Sequence, residues 1–221
     1  MIVYIVTETR DNYEARNYTR QKLVLEKAAG DCCLVLHYKQ VSPRLIRELR
    51  PLAIVHSGSG TPFEEYDIRA TRGYRRTVCH SAVPQLGICG GHQLMAEFLG
   101  SRVAPMRRIR KEEPDLNPRY HPREYKEWGV YPVRIARRDP LWAGLPELIR
   151  VQQFHRSEIK TLGRDLVLLA GTDECPVQAF VHRRRPLYGV QFHPEEATAD
   201  YPDGLRILRN FFRIARRDRR P

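Results

Sequence analysis

The chain has no long apolar run. Its start, Met1-Ile2-Val3-Tyr4-Ile5-Val6, is hydrophobic but breaks at Thr7-Glu8-Thr9-Arg10. That is too short, and too soon charged, for a signal-peptide core or a membrane span. No membrane association is expected, and the expected location is cytoplasmic. Cysteine is sparse: Cys32, Cys33, Cys79, Cys89 and Cys175 are odd in number and show no C-x-x-C spacing. This argues against a disulfide framework and against a zinc site, so five reduced thiols and no metal or cofactor are expected. There is no G-x-x-x-x-G-K-[ST] phosphate loop, internal repeat, linker or low-complexity tract. Residues 1–221 are expected to form one domain with ample material for a core.

What is present is basic. The 221 residues carry a formal charge of +12, with clusters at Arg107-Arg108-Ile109-Arg110-Lys111, Arg183-Arg184-Arg185 and Arg216-Arg217-Asp218-Arg219-Arg220. Such a surplus prompts a nucleic-acid hypothesis. The excess is mostly arginine, however, spread along the chain and interleaved with acids, with no nucleic-acid-binding motif beside it. The expectation is a solvated surface, or one that meets an acidic protein partner, and no nucleic acid.

Strand-like and helix-like stretches alternate through the first half. Strands are expected at Ile2 to Val6, Cys33 to His37 and Leu52 to His56. Helices are expected at Tyr13 to Ala29, stopped by Gly30, at Pro43 to Leu49 behind Ser42, and around Ile68 to Ser81. Past Gly100 comes a charged, proline-bearing stretch, Met106 to Lys126, expected as an exposed loop. Short strands then follow at Trp128 to Ile135, Ile149 to Phe154, Leu166 to Ala170, Val177 to His182 and Leu187 to Phe192, in hairpin-like spacing. A helix with an apolar stripe, Gly204 to Arg217, ends the chain, its last basic residues expected to fray. The pattern predicts an α/β fold, a mostly parallel central sheet with antiparallel additions in the second half.

Gly87-Ile88-Cys89-Gly90-Gly91 sits between the apolar run Val83 to Ile88 and a helix-periodic segment, His92 to Leu99. Glycines two before and two after a reactive side chain give the spacing of a nucleophile elbow, where the turn leaves no room for flanking side chains. A cysteine at a helix start also feels the positive end of the macrodipole, which favours thiolate. A base is then required. Gln191-Phe192-His193-Pro194-Glu195 supplies a histidine at a strand end and a carboxylate two residues on, able to fix its tautomer. Glu196 competes with Glu195, and the spacing favours Glu195. An oxyanion intermediate needs two N–H donors. One is the amide of Gly90; the other should come from the small-residue loop Ser57-Gly58-Ser59-Gly60, with Ser59 preferred and then Gly58. His92, His56, His80 and His182 read as structural, as do Cys32, Cys33, Cys79 and Cys175.

Leu86 to Gln93, Gly189 to Glu195 and Ser57 to Gly60 together resemble the signature motifs of the class I glutamine amidotransferase domain, in the same order. Glu127-Trp128-Gly129 and Phe154-His155 match its layout too. The resemblance implies a flavodoxin-like three-layer α/β/α sandwich, glutamine as substrate, and a γ-glutamyl thioester on Cys89. Ammonia would be lost to a separate synthetase or acceptor subunit, and water would release glutamate. It also implies substrate contacts at Gln93, Phe154, His155 and Arg156. Three departures stand out. Ser59-Gly60 stand where many members have Gly-Pro, Gly90 stands where a larger residue is common, and the Met106 to Lys126 loop is longer than usual. The competing readings are a stand-alone hydrolase of γ-glutamyl amides or peptides with the same triad, and a non-enzymatic arginine-rich binding module.

Overall fold

A computed structural model describes residues 1–218 of the chain. Strand β1 (Ile2–Val6) is buried along its whole length. Its side chains alternate between two cores: Ile2, Tyr4 and Val6 enter one, Val3 and Ile5 the other. A strand covered on both faces reads as an unbroken apolar run, which is how it stands in the sequence. It lies within a parallel set with β2 (Cys33–His37), β3 (Ile54–His56), β4 (Gln85–Ile88) and β11 (Leu187–Val190), in the order β2-β1-β3-β4-β11. From β11 the sheet continues antiparallel through β10 (Ala179–His182), β9 (Leu166–Gly171), β6 (Glu127–Ile135) and β7 (Leu148–His155). This nine-stranded sheet is the middle layer of the expected sandwich.

Helices α2 (Thr19–Ala29) and α6 (Asp203–Asp218) cover one face. Leu25, Ile207, Leu208, Phe211 and Phe212 pack there against Tyr4, Val55, Leu86 and Val190. Helices α3 (Pro43–Leu49), α4 (Arg72–His80) and α5 (Gly90–Phe98) cover the other, with Ile46, Tyr74, Val78, Leu94 and Met95 against Val3, Ile5 and Ile54. Among the described residues no helix is long and apolar enough to cross a membrane.

Some elements differ from expectation. The helix expected from Tyr13 to Ala29 is two helices, α1 (Arg10–Ala15) and α2. Thr9 caps the first, Arg16 is extended at φ −93°, ψ 144°, and the Asn17 side chain accepts the Thr19 N–H. The segment around Ile68 is a 3-10 turn, Asp67–Ala70, that precedes α4. An unforeseen ribbon pairs β5 (Arg102–Pro105) with β8 (Ser157–Thr161). The 106–126 stretch is irregular, with one isolated bridge between Arg108 and Glu124, yet it is anchored. Arg107 donates to both Glu113 and Glu174, and the fully buried Lys126 ammonium donates to Asp115 at 2.7 Å and to the Glu124 carbonyl at 2.9 Å. All five cysteines are free, but Cys32 is exposed and fills no core. The fraying expected after α6 falls on residues 219–221, outside the described residues.

Candidate active site

Cys89 terminates β4 and caps α5 at φ 48°, ψ −104°. That is a backbone conformation L-residues rarely adopt, costing roughly 1–3 kcal/mol. The turn is enforced by close contacts. A Cβ at Gly87 would lie 2.8 Å from Gly91 C, and one at Gly91 would lie 2.7 Å from the His56 carbonyl oxygen. Two bonds hold the elbow: the Cys89 N–H donates to Val190 O at 2.9 Å and the Gly91 N–H to Ser57 O at 2.8 Å. The thiol is therefore presented at the carboxyl edge of the parallel strands, where open α/β sheets form their sites.

His193 follows Phe192 just beyond the end of β11, and its N–H is fixed by Gln152 O at 2.8 Å. The imidazole Nδ1 donates to Glu195 Oε1 at 2.8 Å. The other carboxylate oxygen, Oε2, is buried without a hydrogen-bond partner among the described residues. Burial works against a charged imidazole here, but the charges of Glu195 and then Cys89 outweigh it and hold the His193 pKa well above its ordinary value. Glu196 points elsewhere: it pairs with Arg20 at 2.7 Å and accepts from Gln21. A Cβ at Gly58 would lie 2.9 Å from His193 Cε1 and 3.4 Å from Cys89 Cβ, so the small residue admits the histidine and cysteine side by side.

The loop from Ser57 to Gly60 passes directly over the start of α5. A Cβ at Gly90 would meet Ser59 N at 2.7 Å and Ser59 Cβ at 3.1 Å. No acceptor takes the Ser59 N–H among the described residues. A cavity of about 170 Å³ opens beside Cys89, lined by Ser59, Gly90, Gln93, Phe154, His155 and Arg156 among others. A second, of about 400 Å³, lies on the other side, lined by Gly58, His193 and Glu195. Cys89, Ser59, Phe154 and Tyr120 line both. Every candidate catalytic, oxyanion-hole and substrate residue of the sequence thus lines one of these two spaces.

Within the smaller cavity, Gln93 Nε2 donates to Ser157 O and to Gln191 Oε1, each at 2.9 Å. His155 Nε2 bonds Glu127 Oε2 at 2.9 Å and Nδ1 faces Ser157 O at 3.0 Å; Arg156 donates to Glu124 at 2.8 Å. Glu127, His155 and Cys175 lie close enough together to be considered as metal ligands. Glu127 is, however, already the acceptor for His155, Gln178 and Thr172, and burial pushes the Cys175 thiol up. That set suits a hydrogen-bonded support of the cavity wall better than a cation.

The buried histidines read as structural are so placed. His56 is buried on β3, bonded to Tyr74 and Gln85, with its pKa pushed down by burial to about 4. His92, buried in α5 against the Phe180 ring, is pushed down to about 3 by burial. Sequence reading missed Tyr120, whose only signal was an aromatic residue inside a charged loop. It also missed Glu8, which follows β1 at the same sheet edge.

A doubly wound sheet with cysteine, histidine and carboxylate gathered at a strained elbow defines the α/β enzymes that work through a thiol nucleophile. Within them this chain belongs to the class-I glutamine amidotransferase family, whose model matches residues 35–215. It is 34% identical over 172 residues to a subunit of the glutamine-hydrolyzing GMP synthase of Pyrococcus furiosus, covering 76% of this chain and 78% of that one. It is 32% identical to the glutamine-hydrolyzing GMP synthase of Clostridium novyi over 83% of this chain but 31% of that longer one. The solved structure of a GMP synthase subunit from Thermoplasma acidophilum superposes with a TM-score of 0.75 at 26% identity, covering 98% of this chain and 94% of the other.

Proposed function

We propose that Cys89, His193 and Glu195 are the triad with which this class I amidotransferase hydrolyses the side-chain amide of glutamine. The Cys89 thiol gives its proton to His193, its sulfur attacks the amide carbon, and the carbonyl oxygen takes the electron pair. The resulting oxyanion sits between the amides of Gly90 and Ser59, with Gly58 next to them. His193 passes its proton to the amide nitrogen, the C–N bond breaks, and ammonia leaves a γ-glutamyl thioester. The imidazole then takes a proton from water, whose oxygen attacks the thioester; sulfur departs, recovers that proton from His193, and glutamate is released. Glu195 keeps the ring oriented through Nδ1. Gln93, Phe154, His155 and Arg156 form the wall against which the rest of glutamine lies.

The observation that carries this reading is the convergence of groups from three distant parts of the chain. Cys89 stands at its elbow, the Glu195-bound His193 lies over Gly58, and Ser59 N, whose N–H has no acceptor among the described residues, lies 2.7 Å from where a Cβ of Gly90 would fall. We place the ammonia acceptor on a separate synthetase chain. The relatives' names make the synthetase chain of a GMP synthase the partner to test first. A cytoplasmic location is part of the same proposal, supported by five unpaired thiols.

Glutamate release from glutamine by the purified chain, alone and with the synthetase chain, is the test. Cys89→Ala and His193→Ala are each expected to lower turnover by about a thousandfold or more. Hydrolysis confined to γ-glutamyl peptides, with glutamine untouched in both conditions, would overturn glutamine as substrate and leave a γ-glutamyl hydrolase.

A further inference from the structure

Glu8 is almost completely buried, yet it hydrogen-bonds to none of the triad. Its carboxylate accepts four hydrogen bonds. Oε1 takes the Gly60 N–H at 2.5 Å and Arg16 Nη1 at 3.0 Å; Oε2 takes Thr61 Oγ1 at 2.8 Å and Asn12 Nδ2 at 3.2 Å. Two of these donors belong to the loop that carries Ser59. The residue before Glu8 grips the other end of that loop: the Thr7 N–H donates to Ser57 Oγ at 2.9 Å and Thr7 Oγ1 to Ser57 O at 3.0 Å. Glu8's own carbonyl accepts from His37 Nε2 at 2.9 Å, which ties the segment back to the sheet.

We propose that Glu8 is a positioning residue for the oxyanion hole: it fixes the Gly60–Thr61 end of the loop so that the Ser59 N–H points at the carbonyl oxygen of a bound γ-glutamyl group. The direction of the Ser59 N–H follows ψ of Gly58 and φ of Ser59; the Ser59 hydroxyl is tied to Thr61 O at 2.9 Å, so a Gly60–Thr61 end left unfixed would carry Ser59 with it. A carboxylate suits the role because a charged acceptor binds backbone N–H groups about twice as strongly as a neutral one. It also offers an accepting oxygen to donors on either side, which an amide of the same shape cannot. Arg16, half exposed at the mouth of the larger cavity, supplies the counter-charge that lets the carboxylate stay buried.

This proposal rests on the glutaminase reading, and its test separates the two. Glu8→Gln keeps the volume and loses an acceptor; Glu8→Asp keeps the charge and is one methylene short. Turnover with glutamine is expected to fall about tenfold to a hundredfold in Glu8→Gln, because a misaimed donor loses part of the effect of removing one. KM is expected within about threefold of its original value, and the melting temperature is expected to fall by a few degrees with the fold intact by circular dichroism, because buried donors lose a charged acceptor. Glutamate γ-semialdehyde reports the same step without turnover. Cys89 sulfur adds to its aldehyde carbon, the thiol proton passes to His193, and the former carbonyl oxygen becomes the oxyanion. Its affinity is expected to fall by the same factor as kcat. Hydrogen exchange at the Gly60 amide, slow in the parent, is expected to quicken in both variants.

Unchanged Gly60 exchange in Glu8→Gln would overturn the proposal whatever the activity. So would a rise in KM with kcat and semialdehyde affinity intact, since that pattern belongs to substrate binding. A parent protein that neither hydrolyses glutamine nor binds the semialdehyde would instead defeat the glutaminase reading, with Gly60 exchange still deciding whether Glu8 holds the loop.

Discussion

Ser59 and Gly90 are intelligible only as a pair. Their close approach makes the residue tolerated at one position depend on the residue at the other. The Ser59 Cβ occupies space that a side chain at position 90 would need, at 3.1 Å from where its Cβ would fall. Ser59 is held there through its hydroxyl, which donates to Thr61 O at 2.9 Å and lies 3.0 Å from the Tyr66 hydroxyl. Gly90→Ala must therefore push the loop away by its backbone, since Ser59 N would lie only 2.7 Å from the new carbon. Glutaminase turnover is expected to drop about a hundredfold, the scale of losing one oxyanion donor, with the fold intact by circular dichroism. Ser59→Gly alone should cost only a few-fold, and adding it to Gly90→Ala should restore part of the loss by letting the loop step back. A double-mutant cycle on kcat measures this coupling; strictly additive losses would show that the two positions do not sense each other.

At the scale of elements, the 106–126 stretch is the one whose sequence says least about its behaviour. A run so rich in arginine, glutamate and proline reads as solvated, but Lys126 is 0% exposed in its side chain and paired to Asp115. Removing one member of a buried pair strands the other charge, at a cost of about 3–5 kcal/mol where burial is complete. Asp115 is still 14% exposed and Lys126 keeps the Glu124 carbonyl as acceptor, so the loss should be smaller than that. Asp115→Asn is expected to lower the urea midpoint and to open the stretch to trypsin, while adding Lys126→Met should recover much of the stability. Because Tyr120 lines both cavities beside Cys89, the single variant should also raise KM for glutamine. Cleavage no faster than in the parent would mean that the pair does not anchor the loop. The same logic separates what was legible in the sequence from what was not. Strands buried on both faces announce themselves as apolar runs, and the elbow and His193-Pro194-Glu195 do so through glycines and chemistry at fixed spacing. The break at Arg16 has no proline or glycine to mark it, and β5 is short and half-exposed. Glu8 is one acid beside a strand, with partners that only the tertiary structure brings to it.

For the molecule as a whole, pH acts on stability through histidines of opposite sign. His56 and His92 are neutral in the folded state, with pKa values pushed down by burial to about 4 and about 3; His37, lowered chiefly by burial, adds to them. In the unfolded chain each titrates near 6.5. Between about pH 6.5 and 4 the unfolded chain therefore binds protons that the folded one refuses, so stability is fully present above that window and is lost as pH falls through it. For His56 alone the loss is on the order of 3 kcal/mol, since each pH unit between the folded and unfolded values is worth about 1.4 kcal/mol. His193 runs the other way: its folded pKa is raised by Glu195 and Cys89 against the opposing effect of burial, so its contribution is present below about 6.5 and fades as pH rises through the raised value. Carboxylates held low by arginines, such as Glu113 at about 2, act only below about pH 4.5; in the interval from about 6.5 to 4.5 the lowered His121 and His182 add to the buried histidines, and Asp139, raised by burial, opposes them at its acid end. Urea midpoints across about pH 4.5 to 9 should thus fall on both sides of neutrality. His193→Gln is expected to flatten the alkaline limb, leaving the acid limb in place, because the acid limb belongs to imidazoles sealed within the cores and not to the one at the sheet's edge. A midpoint that stays level between about pH 6.5 and 4.5 would mean that His56 and His92 take up protons in the folded state, at odds with their burial.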